Sequence, residues 1–147
     1  MRWRICAIGK PRLAFARTGI EEYTKRLRAF APIELAWLKA SPSADTESAA
    51  LLERSAGCFR VGLDERGEQL TSRTLAERIG KWEQGRHKEI AVLIGGAEGH
   101  TEALRGQCNW TWSLSKLTLQ HELALVVVLE QIYRAYSIKA NLPYHRD

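Results

Sequence analysis

Three stretches of the chain carry residue types and spacings that chemistry uses. The first is Ile94-Gly95-Gly96-Ala97-Glu98-Gly99-His100. Glycines let a backbone take left-handed conformations and approach a ligand closely, and open α/β sheets bind ligands at the carboxyl ends of their strands. The same residues also suit a tight strand-to-helix turn. The second stretch is Trp112-Ser113-Leu114-Ser115-Lys116-Leu117-Thr118-Leu119. Its alternating small polar and apolar residues suit backbone contacts to an adenine, with leucines against the ring face; Thr118 equally suits a helix N-cap. The third is the tail Asn141-Leu142-Pro143-Tyr144-His145-Arg146-Asp147. Histidine titrates near neutral pH and serves as a general base, whereas a chain terminus is ordinarily frayed and solvated. His121, beside Glu122, reads as a packed or capping residue, and His87 and His100 fall in turn-like segments without further signal.

Other chemistries find little support. The glycine spacing is G-G-x-x-G, it follows the fourth expected strand, and the first strand ends in Gly9-Lys10-Pro11, so a dinucleotide fingerprint is absent. No P-loop occurs. Cys6, Cys58 and Cys108 are widely spaced and form no C-x-x-C or Cys/His group, which reads as three reduced thiols and no metal site. No Ser/His/Asp arrangement follows from spacing.

The elements that must position these stretches alternate. Ile5 to Ile8 reads as a strand, and 13–30 as a helix with Leu13, Ile20, Tyr23, Leu27 and Phe30 at helical spacing. Pro32 stops it, and Ile33 to Leu38 is a second strand. Ser41 to Asp45 reads as a loop, Ala49 to Ala56 as a helix, and Cys58 to Leu63 as a strand closed by a turn at Asp64-Glu65-Arg66-Gly67. Thr71 or Ser72 caps a helix to about Gln84; Ile90 to Ile94 is a strand buried on both faces. A short helix at 101–107, a strand from Trp110 to Leu114 and an apolar helix from Leu119 to Tyr136 complete the chain. This alternation predicts a single α/β domain over residues 1–147 with a mainly parallel sheet flanked by helices. The last helix, with Leu123 to Leu129 and Ile132, is apolar on nearly all sides and has to be covered all round, by an oligomer interface or by a central place in a monomer's core.

The 147 residues are 45% hydrophobic and 27% charged, a composition for a globular core rather than a disordered chain. No apolar run is long enough for a bilayer and no signal peptide precedes the first strand, which points to the cytoplasm and away from membranes. A net charge of +5 is compatible with a polyanionic partner. Arg12, Arg17, Lys25, Arg26 and Arg28 crowd the first helical stretch, and Arg134, Lys139 and Arg146 lie near the end. The five tryptophans, Trp3, Trp37, Trp82, Trp110 and Trp112, suit core packing for the most part, with base stacking as the other use.

Taken in order, these pieces resemble the RlmH family of SPOUT methyltransferases along the whole chain. The resemblance rests on Ala7-Ile8-Gly9-Lys10, Glu21-Glu22-Tyr23 with Lys25-Arg26, Leu63-Asp64-Glu65-Arg66-Gly67 and the glycine loop from Ile94. It continues through Ser113 to His121, Glu130-Gln131-Ile132-Tyr133-Arg134-Ala135, and the ending Pro143-Tyr144-His145-Arg146. It implies a trefoil-knotted α/β fold, a homodimer without metal, and S-adenosylmethionine held by Leu63, Gly95, Gly96, Leu114, Ser115, Lys116, Leu117, Thr118 and Leu119. The implied reaction is methyl transfer to N3 of a pseudouridine in 23S rRNA of the assembled ribosome. His145, Tyr144 and Arg146 are expected to assist the loss of the N3 proton and hold the RNA, within one chain or across the dimer. Lys25, Arg26 and Arg134 are expected to contact phosphates, making binding salt-dependent. A different RNA target, or a ribosome-binding protein that keeps the fold without activity, are the other readings.

Overall fold

The computed structural model describes residues 1–146. Five strands, β1 (Arg2–Ile8), β2 (Ile33–Leu38), β3 (Phe59–Glu68), β4 (Glu89–Ile94) and β5 (Trp110–Trp112), form one sheet. Their order is β2-β1-β4-β3-β5 and every pairing is parallel. Parallel strands need crossovers, supplied by α1 (Ala14–Leu27), α2 (Ala44–Arg54), α3 (Ser72–Gln84) and α4 (Glu102–Gly106), and the chain closes with α5 (His121–Lys139).

Alternation along the central strands divides the core. Trp3, Ile5 and Ala7 of β1 and Ile90, Val92 and Ile94 of β4 face a large cluster with α1, α3 and α5. Cys6, Ile8, Ala91 and Leu93 face a smaller one with Leu51 of α2 and Leu104 of α4. Burial on both faces explains the apolar run of β4. Trp3, Trp82 and Trp112 are core residues; Trp3 donates its indole N–H to the Tyr136 hydroxyl at 2.9 Å.

The all-round apolarity of α5 is resolved largely within the chain. The helix lies between α1 and α3 against the sheet and buries Leu125, Val128, Leu129, Ile132 and Ala135. Gly19 of α1 lets the two helices approach so closely that a Cβ there would sit 3.0 Å from a Val126 methyl. At the start of α5, the buried Glu122 carboxylate accepts the backbone N–H of Arg12 at 2.7 Å and of Leu13 at 3.0 Å, pinning the β1–α1 loop. Burial alone would raise its pKa, but these two donors together with the neighbouring His121 and Gln120 outweigh it, and the net shift is downward.

Several boundaries differ from the sequence reading. The segment read as a loop to Asp45 already enters α2 at Ala44, because Ser43 accepts the Thr46 N–H as an N-cap. The apparent turn at 64–67 is a bulge inside β3: Trp112 of β5 pairs with both Leu63 and Glu68, so the strand resumes beyond it. Thr118 is not an N-cap; the Gln120 side chain accepts the N–H groups of Glu122 and Leu123 instead. The tail is not splayed. α5 ends with Asn141 at φ 55° and a Leu142 N–H to Ser137 C=O bond of 2.9 Å, a left-handed reversal that turns the following residues back along the helix. Among the described residues no helix is long and apolar enough to cross a membrane, and no group of three or more His, Cys, Asp or Glu is arranged to hold a metal.

Replacing Glu122 by Ala should remove two charge-assisted bonds and lower unfolding stability by about 2–3 kcal/mol. The deficit relative to wild type should shrink as acidification below the ordinary glutamate value of 4.5 protonates the native carboxylate. Denaturant titrations at neutral and acidic pH measure both.

Candidate active site

The carboxyl ends of β3 and β4 open into a cavity of about 550 Å³, within the range of small-molecule and cofactor sites. Three segments wall it. The β3 bulge contributes Leu63, Asp64, Glu65 and Arg66; the loop after β4 contributes Ile94 to His100; the segment before α5 contributes Leu114, Ser115 and Leu117 to His121, with Ala124 from the helix.

Each wall is shaped locally. In the β4 loop, Gly99 takes φ 72° and its N–H bonds to Gly96 C=O at 3.1 Å, closing a tight turn that only glycine adopts without strain. His100 lies under this loop. Its Nε2 is 2.9 Å from Leu93 C=O, so that nitrogen carries the proton and Nδ1 is the acceptor. Burial lowers the His100 pKa and keeps the ring neutral. Nδ1 is buried with no hydrogen-bond partner among the described residues. Arg105 donates to the His100 carbonyl at 2.7 Å and lies 3.7 Å from Asp64, coupling two walls.

The segment before α5 is held by its own serines. The buried Ser113 hydroxyl donates to Ser115 C=O at 2.9 Å, and Ser115 Oγ accepts the Leu117 N–H at 3.0 Å. Thr118 Oγ1 donates to Glu65 at 2.7 Å and ties this segment to the β3 bulge. Leu117 remains 73% exposed at the mouth, a large apolar surface awaiting cover. Behind the glycine loop, Glu47 of α2 is buried; one oxygen accepts the Ser41 N–H at 2.9 Å, and the other lies 3.4 Å from where a Gly96 Cβ would stand.

The cavity brings together eight of the nine residues expected to hold a cofactor: Leu63, Gly95, Gly96, Leu114, Ser115, Leu117, Thr118 and Leu119. Lys116 is exposed and does not line it. Asp64, Glu65, Arg66, His100 and Gln120 line it too, although they were not among the residues expected to hold the cofactor; by composition the bulge residues read as an ordinary turn, and His100 gains its position only from the fold.

The residues of the second expected group stand elsewhere. Tyr144 packs edge-on against Tyr133 at 4.7 Å and donates its hydroxyl to Glu130 at 3.1 Å. Burial, with Tyr23 and Glu130 beside it, raises its pKa. Arg134 holds the same Glu130 oxygen through Nε at 2.8 Å and Nη2 at 2.6 Å, and His145 Nδ1 lies 3.4 Å from Arg134 Nη1. Arg26 stands over the Tyr23, Tyr133 and Tyr144 rings, while Lys25 and Arg146 are exposed. This cluster sits midway along α5, whereas the cavity meets the helix at His121 and Ala124. From Ala124 to Arg134 is about 15 Å of helix axis. One chain keeps its cavity and its tail apart.

Residues 1–145 match the family model described as "Predicted SPOUT methyltransferase". A Thermus thermophilus protein named ribosomal RNA large subunit methyltransferase H is 47% identical over 99% of both chains. Its namesake in Deinococcus radiodurans is 42% identical, again over 99% of each. Among solved structures, a probable methylase family protein from Haemophilus influenzae has the same fold, with a TM-score of 0.63, 14% identity, and coverage of 99% of this chain and 70% of that one.

Because His100 is neutral in the fold and its pKa lies below the ordinary 6.5, the unfolded chain binds its proton first on acidification. Stability is therefore expected to fall as pH drops through 6.5 toward the native value. In His100→Gln the pH dependence over that window should flatten, as read by denaturation midpoints from pH 7.5 to 5.

Proposed function

The chain belongs to the SPOUT methyltransferase family, and from that premise we propose that it methylates large-subunit ribosomal RNA, at N3 of a pseudouridine in the 23S molecule, using S-adenosylmethionine. The observation that carries this reading is the three-walled cavity at the carboxyl ends of β3 and β4. The full-length likeness to proteins named ribosomal RNA large subunit methyltransferase H supports the substrate class. A ribosomal substrate supports a cytoplasmic site of action.

The cavity fits the cofactor. Leu63, Leu114, Leu117 and Leu119 offer apolar faces to an adenine, and Asp64, Glu65 and Glu98 offer negative charge to a sulfonium and an amino group. When bound, S-adenosylmethionine supplies an already activated methyl group, so the protein's work is alignment and proton management. The Ser113 and Ser115 bonds hold the shape of the wall before α5, and the Thr118–Glu65 bond ties that wall to the β3 bulge.

The acceptor N3 loses its proton as it takes the methyl. His145 is proposed to receive that proton, with Arg146 and Tyr144 holding the nucleotide. The separation of tail and cavity within one chain favours a site built from two chains: the tail of one protomer serves the cavity of the other. A surface for pairing exists. Leu13 (39% exposed), Phe15 (55%) and Leu123 (38%) form an apolar patch where α1 and α5 begin, beside the cavity. A two-fold interface there would cover the patch.

The test is methyl-labelled S-adenosylmethionine with ribosomes that lack the modification, followed by mass-spectrometric mapping. Label at N3 of a 23S pseudouridine is expected. Label elsewhere in RNA keeps the family and changes the target; no label with no cofactor binding removes the activity. His145→Ala should slow single-turnover transfer by about 100-fold or more, and an unchanged rate would deny it the proton.

A further inference from the structure

A second concavity lies on the far flank of α1, away from α5. Arg17, Ile20, Glu21, Thr24 and Arg28 of α1 overhang Leu35 and Trp37 of β2, with Lys10 and Pro11 closing one end; the space is about 430 Å³. β2 is an edge strand, so this flank of the sheet is open.

Its walls set unpaired cations over an apolar floor. Lys10, Arg17 and Arg28 are exposed, and none makes an ion pair or a side-chain hydrogen bond among the described residues. Arg26 and Arg134, by contrast, are committed to Glu22 and Glu130. Glu21 is the one carboxylate on the wall, so cations prevail there three to one. The floor is apolar: Ile20 is buried and Leu35 and Trp37 are half-buried. Trp37 also stands apart from the chain of ring contacts that links Trp3, Trp82, Trp110 and Trp112. Thr24 is 3% exposed, and its Oγ1 has no hydrogen-bond partner among the described residues. A helical threonine ordinarily satisfies that hydroxyl on the preceding turn.

Unpaired guanidinium groups around an aromatic, apolar floor with an unsatisfied hydroxyl match an unpaired nucleotide: phosphates to the cations, a base against the indole, a polar edge to the threonine. We propose that the α1–β2 groove binds an unpaired RNA nucleotide, as an anchoring subsite separate from the cavity. It rests on the reading of this protein as an RNA methyltransferase, and it names where that RNA is gripped away from the reacting base.

The experiment measures binding of a short fluorescein-labelled oligouridylate by anisotropy across a salt series, with the wild type, Arg17→Gln/Arg28→Gln, and Trp37→Leu. Calorimetric titration with S-adenosylmethionine and sedimentation accompany each protein. The double variant should lower the slope of log affinity against log salt by about 1.4, two single-strand phosphate contacts. Trp37→Leu should weaken binding by about 5- to 100-fold with the slope unchanged. Both variants should keep the wild-type affinity for S-adenosylmethionine, which separates loss of the groove from loss of the fold. Wild-type affinity and slope in both would overturn the proposal. So would weakened binding that tracks dissociation of the dimer, which would give the groove to a second copy of the chain, or a polyglutamate peptide bound as tightly as the RNA. Were the wild type to transfer no methyl and bind no S-adenosylmethionine, the methyltransferase reading would fail by a measurement independent of the groove.

Discussion

The lodging of α5 between α1 and α3 is the constraint on which the rest of the molecule depends. It completes the larger core, and it fixes both ends of the helix against things that matter. At the first turn, Glu122 holds the N–H groups of Arg12 and Leu13, so the cavity wall before α5 is referenced to the start of α1. At the last turn, the left-handed Asn141 sends the tail back onto Glu130, Tyr133 and Arg134. The energetics favour this arrangement: Leu129, Ile132 and Val128 are fully buried, and each large aliphatic side chain withdrawn from water contributes about 1.5–3 kcal/mol.

That one helix also sets the functional geometry. It is long enough to hold a cofactor-sized cavity at one end and a cluster of tyrosines, arginines and a histidine further along, but too rigid to bring them together. On the proposed reading, a single chain therefore presents two half-sites. The exposed Leu13, Phe15 and Leu123, where α1 and α5 begin, are the surface proposed to take the second chain.

Local punctuation made much of this legible in the sequence. β2 falls on Ile33–Leu38 as read, an apolar run directly after Pro32, although α1 already ends at Leu27, short of the proline expected to stop it; β4 and its glycine loop were evident from an apolar strand and three glycines. What escaped the sequence was decided by contacts far along the chain. Asp64 to Gly67 has ordinary turn composition, and only the pairing of Trp112 with both Leu63 and Glu68 makes it a bulge that walls the cavity. A Gly67 Cβ would meet the Thr111 backbone at 2.6 Å, a restriction invisible in Gly67's own neighbourhood. Thr118 looked like a cap and instead reaches Glu65. The apolarity of α5 suggested a partner chain, yet α1 and α3 cover most of it. The smaller patch at the beginning of the two helices is what remains.

The central claim, that the cavity of one chain works with the tail of another, is tested most directly by mixing two inactive proteins. One carries Gly96→Trp, which blocks the cavity; the other carries His145→Ala, which leaves the cavity intact. After unfolding and co-refolding at equal concentrations, statistical two-fold pairing gives half mixed dimers, each with one intact composite site, so the mixture should regain about a quarter of wild-type methyl transfer. Recovery at that level, absent from either protein alone, is the predicted result. A mixture as inactive as its components would contradict the account and place tail and cavity of the same chain at one site.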